Sequence, residues 1–413
     1  MRKYTLLLAV IPFSLLLMAQ SCQPIDPCVI APELCTPAPP ATAYDCSAPA
    51  ALTGYIKVKN PVAGSFIVVL KKPGVNALEV QDIVAFSAKY AGVSLTKTLR
   101  SVNGFSAKMK GDVVVKLLRD PAVQYIQQDR KVKVIDNPTW GIDRIDQRDL
   151  PVDWKFDPGA NGSGVHFYGI DTGIDLVNAD FAGRTGESHS AVAGLPADTD
   201  GHGHGTHTAG TVGGTKYGVA KAVTIHAVKV LDAQGSGSDT DVIAGIDWVT
   251  QHVKANGWRA VANMSLGGPA PAPALDQAVC NAIAAGVAFG IAAGNESSDA
   301  CTSAPANVLQ ALTMGAVDKT DTGASFSNTG ATCLDLWAPG VDVESDMPGG
   351  GGITMSGTSM AAPHATGVLA LYLSVHPTAT VAEANAAIIA EASKDKLSGI
   401  DGPNLLLYTI TKP

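Results

Sequence analysis

Apolar and polar positions along the chain fall into distinct regimes. Arg2 and Lys3 precede an apolar run from Leu6 to Met18, which Ala19-Gln20-Ser21-Cys22 follows. A basic start, a short apolar stretch and then small or polar residues predict a signal peptide over residues 1–21. The run is shorter than the ~20 residues a membrane-spanning helix needs. Over residues 22–53, Pro24, Pro27, Pro32, Pro37, Pro39, Pro40 and Pro49 forbid a regular helix or central strand, so an extended tether is expected. Beyond it, Ser65–Leu70 reads as a strand broken by Pro73-Gly74, and Asn76 with Glu79 caps a helix carrying Val80, Ile83, Val84 and Ala88. Strands follow at Val93–Leu99 and Phe105–Met109. Next come a helix capped by Asp112 with Val114, Leu117 and Leu118 inward, then β pieces at Val123–Ile126 and Lys131–Val134. This β-α-β-β-α-β order predicts a small α+β ferredoxin-like domain over residues 54–135.

From residue 136 to 413 the period changes again. β-rich runs at Val165–Ile170, Thr224–Leu231, Ala260–Met264, Ala288–Ala292 and Leu312–Val317 alternate with helical stretches, among them Asp241–Val253, Leu275–Ala285 and Ser359–Leu373. That alternation predicts an α/β domain, a parallel sheet with helices on both faces. Ligands in such sheets collect at the carboxyl ends of the strands.

Composition narrows the function. Charged residues are 16% of the chain, and 29 Lys+Arg against 37 Asp+Glu give a net charge of −8. No basic field is available for a phosphate backbone, which argues against nucleic acid as a partner. Cys28, Cys35 and Cys46 in the tether suit an oxidising compartment. Cys22, directly after the apolar run, also resembles the bacterial lipoprotein processing site, in which it would carry a lipid anchor. An ordinary signal peptide cut between Ala19 and Ser21 is the other reading. Cys280, in an apolar helix, reads as a buried free thiol.

Three segments carry chemistry. Ile170-Asp171-Thr172-Gly173 puts a carboxylate where an apolar strand ends in a turn; alone it equally suits a capping Asp. Gly201-His202-Gly203-His204-Gly205-Thr206-His207 gathers three of the nine histidines before a helix start. A metal site, a solvated turn and a general base are all open there, although the Glu of a His-Glu-x-x-His zinc motif is missing. Gly357-Thr358-Ser359-Met360 opens a long apolar helix with a hydroxyl among small residues, where the positive helix end would stabilise an oxyanion. Alone, Ser359 is an ordinary first-turn residue. The order Asp…His…Ser separates this set from the Ser…Asp…His order of α/β-hydrolases.

On these motifs the chain resembles the subtilisin-like serine proteases, in the proteinase K and aqualysin branch. The resemblance covers the large domain and extends to the small one, through Phe105-Ser106-Ala107-Lys108 and Asp120-Pro121-Ala122-Val123, which look like the family's inhibitory propeptide. It implies Ser359 as nucleophile, His204 as base, Asp171 as the residue orienting His204, and Asn295 in Ala292-Ala293-Gly294-Asn295 as an oxyanion donor. His202, His207 and His364 are then structural. Gly235-Ser236-Gly237 and Ser265-Leu266-Gly267 would flank a substrate bound as an added β-strand. Ala292 to Gly294 with Ser265 to Gly267 would line a mainly apolar specificity pocket. The resemblance further implies calcium held by Asp335 and carbonyls near Leu309 and Ala311, and a Cys301–Cys333 disulfide. It implies a secreted or cell-envelope, monomeric endopeptidase that cuts itself between Val134 and Asn137 and is inhibited by its own propeptide. The rivals are a catalytically silent scaffold and a metal-dependent hydrolase built on the His cluster.

Overall fold

Alternating apolar residues give the N-terminal sheet two buried faces, and that decides how its two neighbours attach. A computed structural model of the chain describes residues 27–34, 52–58, 61–71, 80–134 and 141–409. The expected signal peptide, Cys22, Cys35, Cys46 and Asn76 lie outside these residues, as do 135–140. Among the described residues no helix is long and apolar enough to cross a membrane.

The N-terminal unit runs β1 (Gly54–Ile56), β2 (Pro61–Leu70), α1 (Val80–Ala88), β3 (Ser94–Leu99), β4 (Gly104–Lys108), α2 (Gly111–Leu118) and β5 (Val123–Val134). Its strands lie in the order β5-β2-β4-β3, antiparallel, with β1 parallel to β5. Phe66, Val68 and Leu70 face Val114 and Leu117 of α2, while Ile67 and Val69 turn to the opposite face. This is the expected β-α-β-β-α-β order with the unpredicted short strand β1 placed ahead of it and two corrections. Lys110 is the cap position of α2, in extended conformation and without a side-chain bond, so Asp112 is a first-turn acid. The last two β pieces are one strand, because the polar Gln127, Asp129 and Arg130 between them are buried against the second unit.

The large unit contains β6 (Val165–Asp171), α3 (His204–Gly213), β7 (Thr224–Lys229), β8 (Ser236–Ser238), α4 (Asp239–Asn256), β9 (Arg259–Met264) and β10 (Leu266–Pro269). It continues with α5 (Pro273–Ala284), β11 (Val287–Ala292), β12 (Leu312–Val317), β13 (Leu336–Pro339), α6 (Thr358–Val375), α7 (Val381–Glu391) and β14 (Leu405–Leu406). Its central sheet has the order β14-β13-β12-β11-β9-β6-β7, all parallel, with two-residue strands at either edge. Tyr168, Ala260, Ala262 and Phe289 point into one core with α4 and α5; Phe167, Val261 and Ala288 point into another with α3 and α6. Each sheet face is therefore closed by helices, as the near-continuous apolar strands require.

The two units meet at helix starts. Asp129 Oδ1 accepts Thr240 N–H at 3.1 Å in the first turn of α4, and Gln127 Oε1 accepts Ala274 N–H at 3.0 Å in the first turn of α5. Both satisfy donors that a helix leaves unpaired. Arg130, fully buried, donates Nε to Asp239 at 2.8 Å. Cys301 and Cys333 form a disulfide, Cα atoms 5.2 Å apart. Cys280 is disulfide-bonded too, which overturns its reading as a free thiol.

Candidate active site

Four strand or helix ends converge where the central sheet opens. Asp171 is the last residue of β6 and fully buried. His204 begins α3 after Gly203, whose φ of +97° suits glycine. A side chain at Gly205 would sit 2.0 Å from Gly173 O, so the helix can abut the turn after Asp171 only with glycine there. His204 Nδ1 lies 2.8 and 2.9 Å from the two carboxylate oxygens of Asp171. Asp171 Oδ1 also accepts Thr172 N–H at 2.7 Å. The imidazole is thereby held as the Nδ1–H tautomer, with Nε2 directed away from Asp171.

A residue the sequence reading missed holds this arrangement. Buried Asp200 accepts Thr172 Oγ1–H, His202 N–H and Gly203 N–H on Oδ1, and Thr206 N–H and Oγ1–H on Oδ2, all at 2.8–3.0 Å. It ties the turn after β6 to the start of α3. Its neighbour in the motif Ala197-Asp198-Thr199-Asp200 carried no signal beyond a polar loop.

Ser359 is the second residue of α6, fully buried, and α6 packs against α3. Its Oγ donates to Ser265 O at 3.3 Å, and Ser265 Oγ donates back to Ser359 O at 2.7 Å. Thr358 N–H and Oγ1–H both donate to Asn295 Oδ1, at 2.9 and 3.0 Å. That fixes the amide orientation. Asn295 Nδ2 is buried and has no hydrogen-bond acceptor among the described residues, a donor aimed at space beside the start of α6.

Two further histidines, His207 and His364, are bonded elsewhere, while His202 Nδ1 is buried without a hydrogen-bond partner among the described residues. His207 Nε2 donates to Val343 O at 3.2 Å, and burial pushes its pKa down to about 3. His364 Nδ1 donates to Met360 O at 2.7 Å, and burial pushes it down to about 4. Among the described residues no three His, Cys, Asp or Glu side chains group so as to hold a metal ion. His204 Nδ1 is bound to Asp171 and His207 Nε2 to a backbone carbonyl.

Strand β5 runs through the mouth of the site. Lys131, Val132 and Lys133 pair antiparallel with Ser238, Gly237 and Ser236, while Lys133 and Val134 pair with Gly267 and Leu266. Residues 131–134 thus form the middle of a three-stranded patch between the two Gly-rich segments, Gly235 lying in the turn just before β8. Beside it is a cavity of about 270 Å³ lined by Gly267, Pro269, Ala292, Gly294, Glu296 and Thr302, among others. The cavity is wider than the two segments read from sequence, and Glu296 puts a carboxylate on its rim, its Oε2 accepting Asn328 Nδ2–H at 2.9 Å. Away from the mouth, Asp335 Oδ2 accepts Thr313 N–H at 2.8 Å, and burial pushes its carboxyl up to about 7. Leu309 and Ala311 lie in the turn before β12.

A Ser, a His–Asp pair and a directed amide donor at one sheet mouth are accompanied by a family match: the Subtilase family profile fits residues 162–405. The chain belongs to the subtilase family. It is similar to an extracellular serine proteinase of Thermus sp. (strain Rt41A), 50% identical over 317 residues, covering 75% of this chain and 76% of that protein. It is also similar to alkaline serine exoprotease A of Vibrio alginolyticus, 40% identical over 368 residues, covering 85% of this chain and 68% of that protein. A solved structure, of a cold adapted subtilisin-like serine proteinase, superposes with a TM-score of 0.63 at 44% identity, covering 67% of this chain and all of that one. This subtilase is a serine endopeptidase with the subtilisin-like fold.

Proposed function

We propose that the subtilase is a secreted, self-processing endopeptidase that cuts extended polypeptide through an acyl-enzyme. Ser359 Oγ attacks the scissile carbonyl. His204 Nε2 takes its proton and returns it to the leaving amine, and Asp171 holds the imidazole and stabilises the imidazolium. Asn295 Nδ2–H and the first-turn amides of α6 receive the oxyanion. The observation that carries this reading is the seating of residues 131–134 between β8 and β10, one strand held as a substrate would be and ending beside Ser265 and Ser359. Treatment of the processed protein with an organophosphonate tests it: one adduct at Ser359 is expected, with loss of casein hydrolysis. Processed protein that clears casein without labelling at Ser359 refutes the assignment.

The same register supports residues 54–135 as an inhibitory propeptide. Val134, the last described residue of β5, lies opposite Leu266, next to Ser265 and so to Ser359, and the self-cleavage site we assign lies between Val134 and Asn137. The extracellular character of the Thermus relative and the signal-like residues 1–21 support secretion.

Backbone pairing reads no sequence, so preference resides in the pocket. Ala292, Gly294, Gly267 and Pro269 favour an apolar side chain before the cut bond, and Glu296 on the rim extends acceptance to a long cationic one. Glu296→Gln is expected to lower kcat/KM for a substrate with Lys at that position by about fivefold, the worth of one exposed ion pair, and to leave a Phe substrate unchanged. Paired peptide substrates measure it.

Asp335 fits a calcium ion in chemistry: a buried carboxylate whose charge a hard cation would neutralise. Its carboxyl pKa is raised in the folded state, so without an ion stability falls as pH climbs from the unfolded value of ~4 toward about 7. A cation needs the ionised form. Its stabilisation is therefore expected to be small at pH ~5 and full at pH ~8. Calorimetry with and without chelator, on protein inactivated at Ser359, checks this, with Asp335→Asn removing the difference.

A further inference from the structure

Every acceptor of the buried Arg130 guanidinium belongs to the large unit. Nε donates to both oxygens of Asp239 at 2.8 Å, Nη1 to Pro269 O at 2.5 Å and Nη2 to Ala304 O at 3.3 Å. Three nitrogens thus meet acceptors in different directions, which a planar guanidinium can do and the single nitrogen of a lysine cannot. Gly268 leaves the space for it: a Cβ there would lie 3.1 Å from Nη1 and 3.4 Å from Cζ. Asp276, on α5 and 1% exposed, adds a second carboxyl, and its Oδ1 has no hydrogen-bond partner among the described residues. Its Oδ2 accepts Asn307 Nδ2–H at 3.1 Å, a bond within the large unit. Burial pushes Asp239 and Asp276 each up to about 7, and the Arg130 charge opposes that rise in both. The recess is made by α4, α5, β10 and Ala304, so none of its walls depends on the N-terminal unit.

We propose that Asp239 and Asp276 form a remote specificity subsite of the processed peptidase, one that takes a substrate arginine well before the cut bond. This rests on the reading of residues 131–134 as a strand held in the place of substrate. Arg130 directly precedes that strand, and a cut between Val134 and Asn137 puts it fifth to seventh before the broken bond. A substrate in the same register brings its own side chain at that position onto the two carboxyls. There it gains the charge-assisted contacts that Arg130 makes in the precursor. Pairing with β8 and β10 is blind to side chains, so this recess adds a second preference to that of the pocket beside the cut.

The test uses processed enzyme and three synthetic peptides with the sequence of residues 128–139: the native one, Arg130→Lys and Arg130→Met. Product masses locate the cut in each. The expected kcat/KM is about tenfold higher for the native peptide than for Arg130→Met, carried mainly by KM, with Arg130→Lys close to Arg130→Met. In Asp239→Asn enzyme the ratio of native to Arg130→Met is expected to fall to about two or less. Equal rates of wild-type enzyme on the native and Arg130→Met peptides overturn the subsite, however the variant folds, and leave the endopeptidase reading standing. An equal advantage for Arg and Lys also overturns it, since an acidic protein attracts any basic peptide. Peptides left whole by enzyme that clears casein refute instead the placement of residues 131–134 on which the subsite rests.

Discussion

Ser359→Ala is expected to accumulate as the uncut precursor and to lose peptidase activity by about 10⁶-fold. That magnitude is carried over from subtilisin, the type member of the family, rather than obtained from this chain. The exchange deletes one oxygen at the second residue of α6, whose only described side-chain bond goes to Ser265 O at 3.3 Å, so fold and stability should hold. Chemistry should not. With residues 131–134 paired to β8 and β10 of the same molecule, β5 leads up to Ser265 and Ser359, so an intramolecular first cut is expected. Intact mass from a protease-deficient host reads the outcome. Normal processing of the variant there refutes self-cleavage.

Asn295→Asp is expected to lower kcat by 10²–10³-fold with little change in KM, again a magnitude known from subtilisin. Asp keeps an acceptor for Thr358 N–H and Oγ1–H, the two bonds that tie this segment to the start of α6. It replaces the unpaired Nδ2 donor by an acceptor facing the same space, where charge develops only in the transition state. Asn295→Ala loses both functions and should also lose thermal stability. The pair of variants separates a catalytic donor from a structural one: an Asp variant with wild-type kcat would assign Asn295 to packing alone.

Much of this architecture was legible in the chain. Five of the seven parallel strands were found within a residue or two because both sheet faces are buried and the runs are almost wholly apolar, whereas the short β13 and β14 went unread. The site read well because its groups sit where strands end and helices begin. What escaped notice was polarity with a distant partner. Gln127, Asp129 and Arg130 broke the apolar pattern of β5, although Thr240, Ala274 and Asp239, more than a hundred residues away, receive them. Asp200 looked like any loop acid until five donors met on it. Cys280 looked free because nothing in its own helix hints at a disulfide, and Glu296 fell two residues beyond the segment taken to line the pocket.

The sheet that joins β1–β4 to β8 and β10 is continuous only while β5 lies in it. Were that strand to leave, β8 and β10 would present two facing rows of unpaired amides and carbonyls, the kind of margin that in most proteins nucleates clumping. Here the glycines of both rows welcome almost any stretched chain, and whatever docks lies against a hydrolytic centre.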